Sequence, residues 1–302
     1  NFTMGDAPFL GGGLGGQFLT TLGVFLVAGF SFQGTELIGI TAGESQDPQK
    51  NIPRAIKQVF WRILLFYIGT MIVIGFLLPY TDPSLLHTDV ESVAVSPFTL
   101  ALDRTGFPAA ASLVNFVILT AVLSGGNSGL YASTRMLYAM AEAGEAPKCF
   151  AKVNKRGVPI NALLLTTAFG FLAFLSSLIG DGTAYQWLMQ LSGMTGFVVW
   201  LGIAVCHYRF RRAFKAQGLS LDVLPYRASC FPFGVYLALI LCTIVIVGQN
   251  YAAFTGSDVD WGGVVSTYIG IPVIFLFYLW YKIKYHTKLI PLTEIDLSKK
   301  DY

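Results

Sequence analysis

Apolar residues run through this chain in long blocks divided by short polar stretches. A bilayer core takes ~20 apolar residues of helix at ~1.5 Å rise each, and blocks of that length argue for spanning helices. The pattern predicts spans at 19–43, 59–78, 109–139, 160–179, 185–207, 231–253 and 261–282, about seven in all. The third is too long for one perpendicular crossing, so it tilts or runs on beyond the membrane. Between the second and third blocks, 96–107 is amphipathic enough for a short helix lying over the surface. Asp47-Pro48 reads as an N-cap followed by proline at the first helical position, and Pro53 would likewise open a helix.

The first block departs from a plain span in its middle. Gly29, Ser31, Gln33, Gly34 and Thr35 interrupt the apolar run and Glu36 follows. A carboxylate at that depth costs ~2.5–3.5 kcal/mol on an insertion scale, so it needs a purpose or a partner. One reading is a helix broken around Gly29–Thr35, its freed backbone groups covered by protein or by a water-filled cavity, as where transporters build substrate sites. The other is a packing face, with the glycines allowing close approach and Glu36 bonded to a neighbouring helix. Two further stretches raise the same pair of readings. Ser124, Asn127 and Ser128 stand among Gly125 and Gly129 in the third block, and Ser192-Gly193-Met194-Thr195-Gly196 lies inside the fifth. Each is either the wall of a polar cavity or a small-residue surface for helix contact.

Composition agrees with the pattern. The 302 residues are 54% hydrophobic and 12% charged, against ~25% charged in soluble domains. Lys and Arg collect at 50–62, 135–156, 209–227 and 282–300, and the alternate loops hold only Arg104. By the positive-inside rule the N-terminus lies outside and the C-terminus in the cytoplasm. The net charge of +3 therefore reports topology and not a nucleic-acid partner. The outer loops are mostly acidic, which either concentrates a cationic solute or simply remains once basic residues are depleted. Glu44, Asp47, Lys50 and Arg54 lie close enough in sequence to pair at the inner face. None of the four cysteines falls in an outer loop, so free thiols are expected. His207 stands beside Arg209, Arg211 and Arg212 and reads as an interfacial residue in preference to a proton carrier. There is no phosphate loop, HExxH or CxxC pair, and no converging nucleophile–base set. Enzyme chemistry, a metal centre and a cofactor site are not expected. A chain starting at Asn1, outside, is expected to be preceded by further sequence.

The stretch GFSFQGTELIGITAGESQDPQKNIPRAIKQVFWRILLFY resembles the amino-acid permeases of the amino acid–polyamine–organocation superfamily. PYTDPSLL, AVLSGGNSGLYASTRMLYA, SGMTGFVVWLGIAVCHYRFRR and GQNYAAF…DWGGVVSTYIGIP extend the likeness over essentially the whole chain. That family has twelve helices, with helices one to five and six to ten forming inverted repeats. The resemblance implies an all-α integral membrane fold: 19–207 as the second repeat, its first helix broken, then 231–284 as two peripheral helices and 285–302 as a cytoplasmic tail. The first repeat would be absent, and with it the break that binds the substrate's carboxylate and the family's proposed coupling lysine.

The implied function is proton-coupled import of an amino acid, L-lysine foremost, by a monomer in the cytoplasmic membrane of a bacterium. A broader basic or general amino-acid range is the alternative, and a seven-helix receptor or sensor a distant one. Carried over by position, the break at Phe30, Ser31, Phe32, Gln33 and Gly34, with Thr35 beside it, would offer carbonyls to the substrate's α-amino group. Phe30 matches an aromatic gate, and Glu36 an acidic residue past the break that is a candidate for proton coupling. Ser124, Asn127 and Ser128 would face the cavity from the eighth helix, and Ser192 and Thr195 from the tenth. Glu44 matches an inner-gate position.

Overall fold

The computed structural model describes residues 21, 28–29, 31–79, 96–104, 106, 109–174, 183–224, 226–228, 230–249, 259 and 261–297. These residues form helices joined by turns and irregular segments, with no strand among them. They fall into two compact units, 34–184 and 1–33 with 185–302.

In the unit 34–184, a short helix α1 (Leu37–Ile40) leads to α2 (Pro48–Arg62), a wider turn at Ile63–Ile68, and α3 (Gly69–Leu77). Asp47 caps α2 in the left-handed region, and its carbonyl accepts the N–H groups of Lys50 and Asn51 at 3.0 Å. Pro48 takes the first helical position, as the sequence suggests. Pro53 instead lies inside α2 and opens no helix. In the second turn the missing N–H forfeits one intrahelical bond, which a long helix absorbs. Asp47 makes no ion pair with Lys50 or Arg54 among the described residues.

The short helix α4 (Pro97–Asp103) falls within the expected surface stretch. It joins α5 (Ala110–Glu142) where Thr99 Oγ1 donates to Asn115 Oδ1 at 3.1 Å. At ~1.5 Å per residue α5 is ~50 Å long, well over a ~30 Å hydrocarbon core. Two of its hydroxyls close on its own backbone, Thr120 onto the Val117 carbonyl and Ser133 onto the Gly129 carbonyl. That is how a polar side chain survives in an apolar surround. The helix α6 (Ile160–Gly170) continues through a tighter turn at Phe171–Phe174, and Thr134 and Thr166 share a hydroxyl–hydroxyl bond of 2.9 Å between α5 and α6.

The other unit is built on α7 (Thr183–Ala216), with α8 (Phe233–Gly248), α9 (Trp261–Tyr268) and α10 (Gly270–Tyr285). Phe197, Cys242 and Val245 form its core with Trp200, Leu201 and Ile246 against them. Met194 is fully enclosed, and the Gln249 amide donates to its sulfur at 3.4 Å. Thr267 of α9 donates to Gln190 Oε1 at 3.3 Å. Thus α8 and α9 pack against the middle of α7. The tail is strapped to the end of α7, where the Gln217 amide donates to the carbonyls of Leu292 and Ile295. All four cysteines are free thiols.

Pro48–Leu77, Ser112–Glu142 and Trp187–Ala216 are long and apolar enough to cross a membrane. The α9–α10 pair, bent by 43°, makes a fourth if taken as one span. Ile160–Phe174 and Phe233–Gly248 are shorter, but parts of their expected spans, with most of 19–30, lie outside the described residues. Large apolar side chains point outward along these helices, with Phe76 88% exposed and Phe116 63% exposed. Such a surface suits lipid and not water.

Candidate functional site

Residues 31–36 run as consecutive turns between helical residues 28–29 and α1. The N–H of Ser31 donates to the Ala28 carbonyl at 3.1 Å and that of Phe32 to the Gly29 carbonyl at 3.0 Å. Both bonds span three residues, not four, so the α-helical ladder is lost here. Gly34 then takes φ +98°, a region open to glycine at little cost and strained for other residues. Past it, the Glu36 carboxylate turns back and accepts the Gly34 N–H through both oxygens, at 3.2 and 3.1 Å. A charged acceptor on a backbone donor is among the stronger hydrogen bonds. The carboxylate that looks misplaced in an apolar block is thus part of what holds the turn in shape.

Upstream of Gly34 the turn is anchored to α7. The Gln33 amide donates to the carbonyls of Ser192 at 3.1 Å and Gly193 at 3.2 Å. Thr195 Oγ1 donates to the same Ser192 carbonyl at 2.9 Å. Two glycines make this approach possible. A Cβ on Gly196 would run into the Gln33 amide group, and one on Gly29 would enter the Phe197 ring. The stretch 192–196 stays within a continuous helix, so its glycines serve contact and do not break the backbone.

The structure therefore brings Gln33 to Ser192 and Gly193, with Thr195 bonded to the same carbonyl. Ser31 and Ser192 are exposed, while Phe32, Gly34, Thr35, Glu36 and Thr195 are half-buried. In the other unit Ser124, Asn127 and Ser128 lie on one stretch of α5. Ser124 and Asn127 are exposed there, and Ser128 Oγ donates to the Ser124 carbonyl at 3.0 Å. Phe30 lies outside the described residues, as does the Glu44 side chain; the Glu44 backbone closes the tight turn Thr41–Glu44. Sequence reasoning missed Phe197, Gly29's true contact, and the use of the Gln33 side chain. The available signal was an aromatic directly after SGMTG facing a second glycine-and-hydroxyl stretch of matching size. No group of acidic, histidine and cysteine residues suited to a metal occurs among the described residues.

A profile described as "Amino acid permease" matches residues 1–291. The chain belongs to the amino acid permease family. It is 54% identical over 301 residues to the lysine-specific permease LysP of Escherichia coli (strain K12), covering 100% of this chain and 60% of that protein. It is 51% identical over 302 residues to LysP of Lactococcus lactis subsp. cremoris, covering 99% of this chain and 58% of that one. The histidine permease HisP of the same organism is 48% identical over 300 residues, covering 99% and 61%. The chain thus spans about three-fifths of the length of these relatives. They are permeases, transport proteins and not enzymes.

Proposed function

We propose that the protein this chain forms or belongs to is a secondary transporter that imports L-lysine with protons across the cytoplasmic membrane of a bacterium. The observation that carries the reading is the turn at 31–36, tied to α7 through Gln33, in a chain whose relatives at 54% and 51% identity are named lysine-specific. Irregular backbone at membrane depth is tolerated where it lines a cavity, and there its carbonyls can take a substrate's ammonium.

In this reading the carbonyls of 30–34 receive the α-amino group, Phe30 closes over it, and Thr35 lies beside them. Ser192 and Thr195 on α7, and Ser124, Asn127 and Ser128 on α5, supply the polar lining. Glu36, the acidic group bonded to the Gly34 N–H, exchanges the coupled proton. Glu44 belongs to the inner gate. The architecture is the second half of a five-plus-five inverted repeat with two further helices, about seven spans here, working as a monomer with its C-terminus in the cytoplasm. A broader basic-residue range is the second reading, favoured by the 48% identity to a histidine permease.

Uptake of labelled lysine into proteoliposomes carrying an imposed proton gradient tests both. Lysine accumulation that unlabelled lysine blocks, and histidine, leucine and phenylalanine do not, supports the first reading. Equal inhibition by histidine moves the assignment to the second. Absence of any gradient-dependent lysine uptake contradicts both.

A further inference from the structure

The start of α2 carries charge that the transport reading leaves unused. Lys50, Arg54, Lys57 and Trp61 are spaced four, three and four residues apart, so they form one stripe, with Gln58 and Arg62 beside it. Together with Pro53 they line an open groove of 680 Å³. There is no acidic residue between Pro48 and Arg62. None of the four cations makes an ion pair with a described residue. Lys50, Arg54 and Lys57 along one helix face, with Arg62 beside them, repel one another, and no described carboxylate forms an ion pair with them.

Directly beyond the groove the chain turns apolar and its side chains point outward: Leu64 is 40% exposed and Leu65 67% exposed, followed by Phe66 at 62% and Ile72 at 54%. Trp61, 63% exposed, stands at the changeover, where an indole fits the boundary between headgroups and acyl chains. The surface is therefore cationic at one end, apolar at the other, and aromatic between. A soluble acidic peptide matches only the cationic end. An anionic glycerophospholipid matches all three parts.

We propose that this groove is a binding site for an anionic glycerophospholipid, its phosphate among Lys50, Arg54 and Lys57 and its acyl chains along the exposed face of 64–77. The site rests on α2 entering a membrane and not on which amino acid is carried, so it stands or falls apart from the choice of substrate.

The test is native mass spectrometry of the full-length protein released from nanodiscs of mixed phosphatidylglycerol and phosphatidylcholine. Wild type is expected to retain phosphatidylglycerol in preference. The triple variant Lys50→Gln/Arg54→Gln/Lys57→Gln should lose that preference, by roughly fivefold for each charge removed. The charge-keeping variant Lys50→Arg/Lys57→Arg should retain it, which guards against misfolding as the cause. A control with Lys148→Gln/Lys152→Gln/Arg156→Gln, removing as many charges elsewhere, should also retain it. Equal retention of both lipids by wild type, or loss of preference in the control as large as in the triple variant, would overturn the site. Displacement of the lipid by inorganic phosphate alone would do so too, pointing to a free-anion site.

Discussion

Residues 29–36 and 192–197 both mix glycine, hydroxyl residues and phenylalanine inside apolar blocks, yet 31–36 leave the helix and 192–197 remain in it. In the first, Gly34 reverses the sign of φ and the Glu36 carboxylate captures the freed N–H. In the second, Thr195 folds its hydroxyl onto the Ser192 carbonyl inside the helix, and Gly196 leaves room for Gln33. Glycine content alone does not break a helix at membrane depth. A break needs an acceptor or donor that takes over the released backbone group. The same glycines, without that partner, become a socket.

The largest effect expected from disturbing this contrast comes from Glu36→Gln. It removes the charge that holds the Gly34 N–H while nearly keeping the shape. Gradient-driven lysine accumulation should vanish while a folded, inserted protein still binds lysine, read by uptake beside equilibrium binding. Loss of binding as well would make Glu36 part of recognition or site assembly. Accumulation like wild type would leave it a packing residue.

Gly29→Ala comes next, since its Cβ would enter the Phe197 ring and overpacking of this kind costs about 1–3 kcal/mol. A lowered melting temperature in detergent, partly restored by adding Phe197→Leu, is the expected result. A melting temperature that does not move would place the ring elsewhere.

Gly196→Ala should be milder, because the group it meets is the end of a flexible side chain. The informative measurement is the pair: Gln33→Ala makes room for the new methyl, so the double variant should be more stable than the two single effects added together. Simple additivity would mean that the two residues do not touch.

The smallest effect belongs to α5. Asn127→Ala should raise the KM for lysine about fivefold, the loss of one hydrogen bond of ~1 kcal/mol, with maximal rate little changed. No change in KM would return 124–128 to a helix-packing role.

Much of this was legible in advance. The apolar blocks 59–78, 109–139 and 185–207 anticipate the helical stretches Pro48–Leu77, Ala110–Glu142 and Thr183–Ala216, because periodicity and length are local properties. Asp47-Pro48 marks the start of α2 for the same reason. The composition of 29–36 shows an interruption, but that of 192–196 looks alike and gives none. What separates them is Gly34 at φ +98° with the Glu36 carboxylate on its N–H, and what joins them is a contact between Gln33 and residues 159 and 160 positions away, which spacing within either stretch cannot reveal. Likewise Pro53 reads as a helix start from its type alone, whereas its place inside α2 follows from where Asp47 caps.

The central proposal is that the backbone around Gln33 and the stretch of α7 it bonds hold the substrate. Ser192 is exposed, so Ser192→Cys, in a chain with Cys149, Cys206 and Cys230 replaced by serine, gives a direct probe. Lysine at tenfold its dissociation constant should slow modification of that thiol by a charged methanethiosulfonate about tenfold, through occupancy alone, while leucine leaves the rate unchanged. A variant that still transports lysine but whose thiol reacts at the same rate with and without saturating lysine would contradict the account.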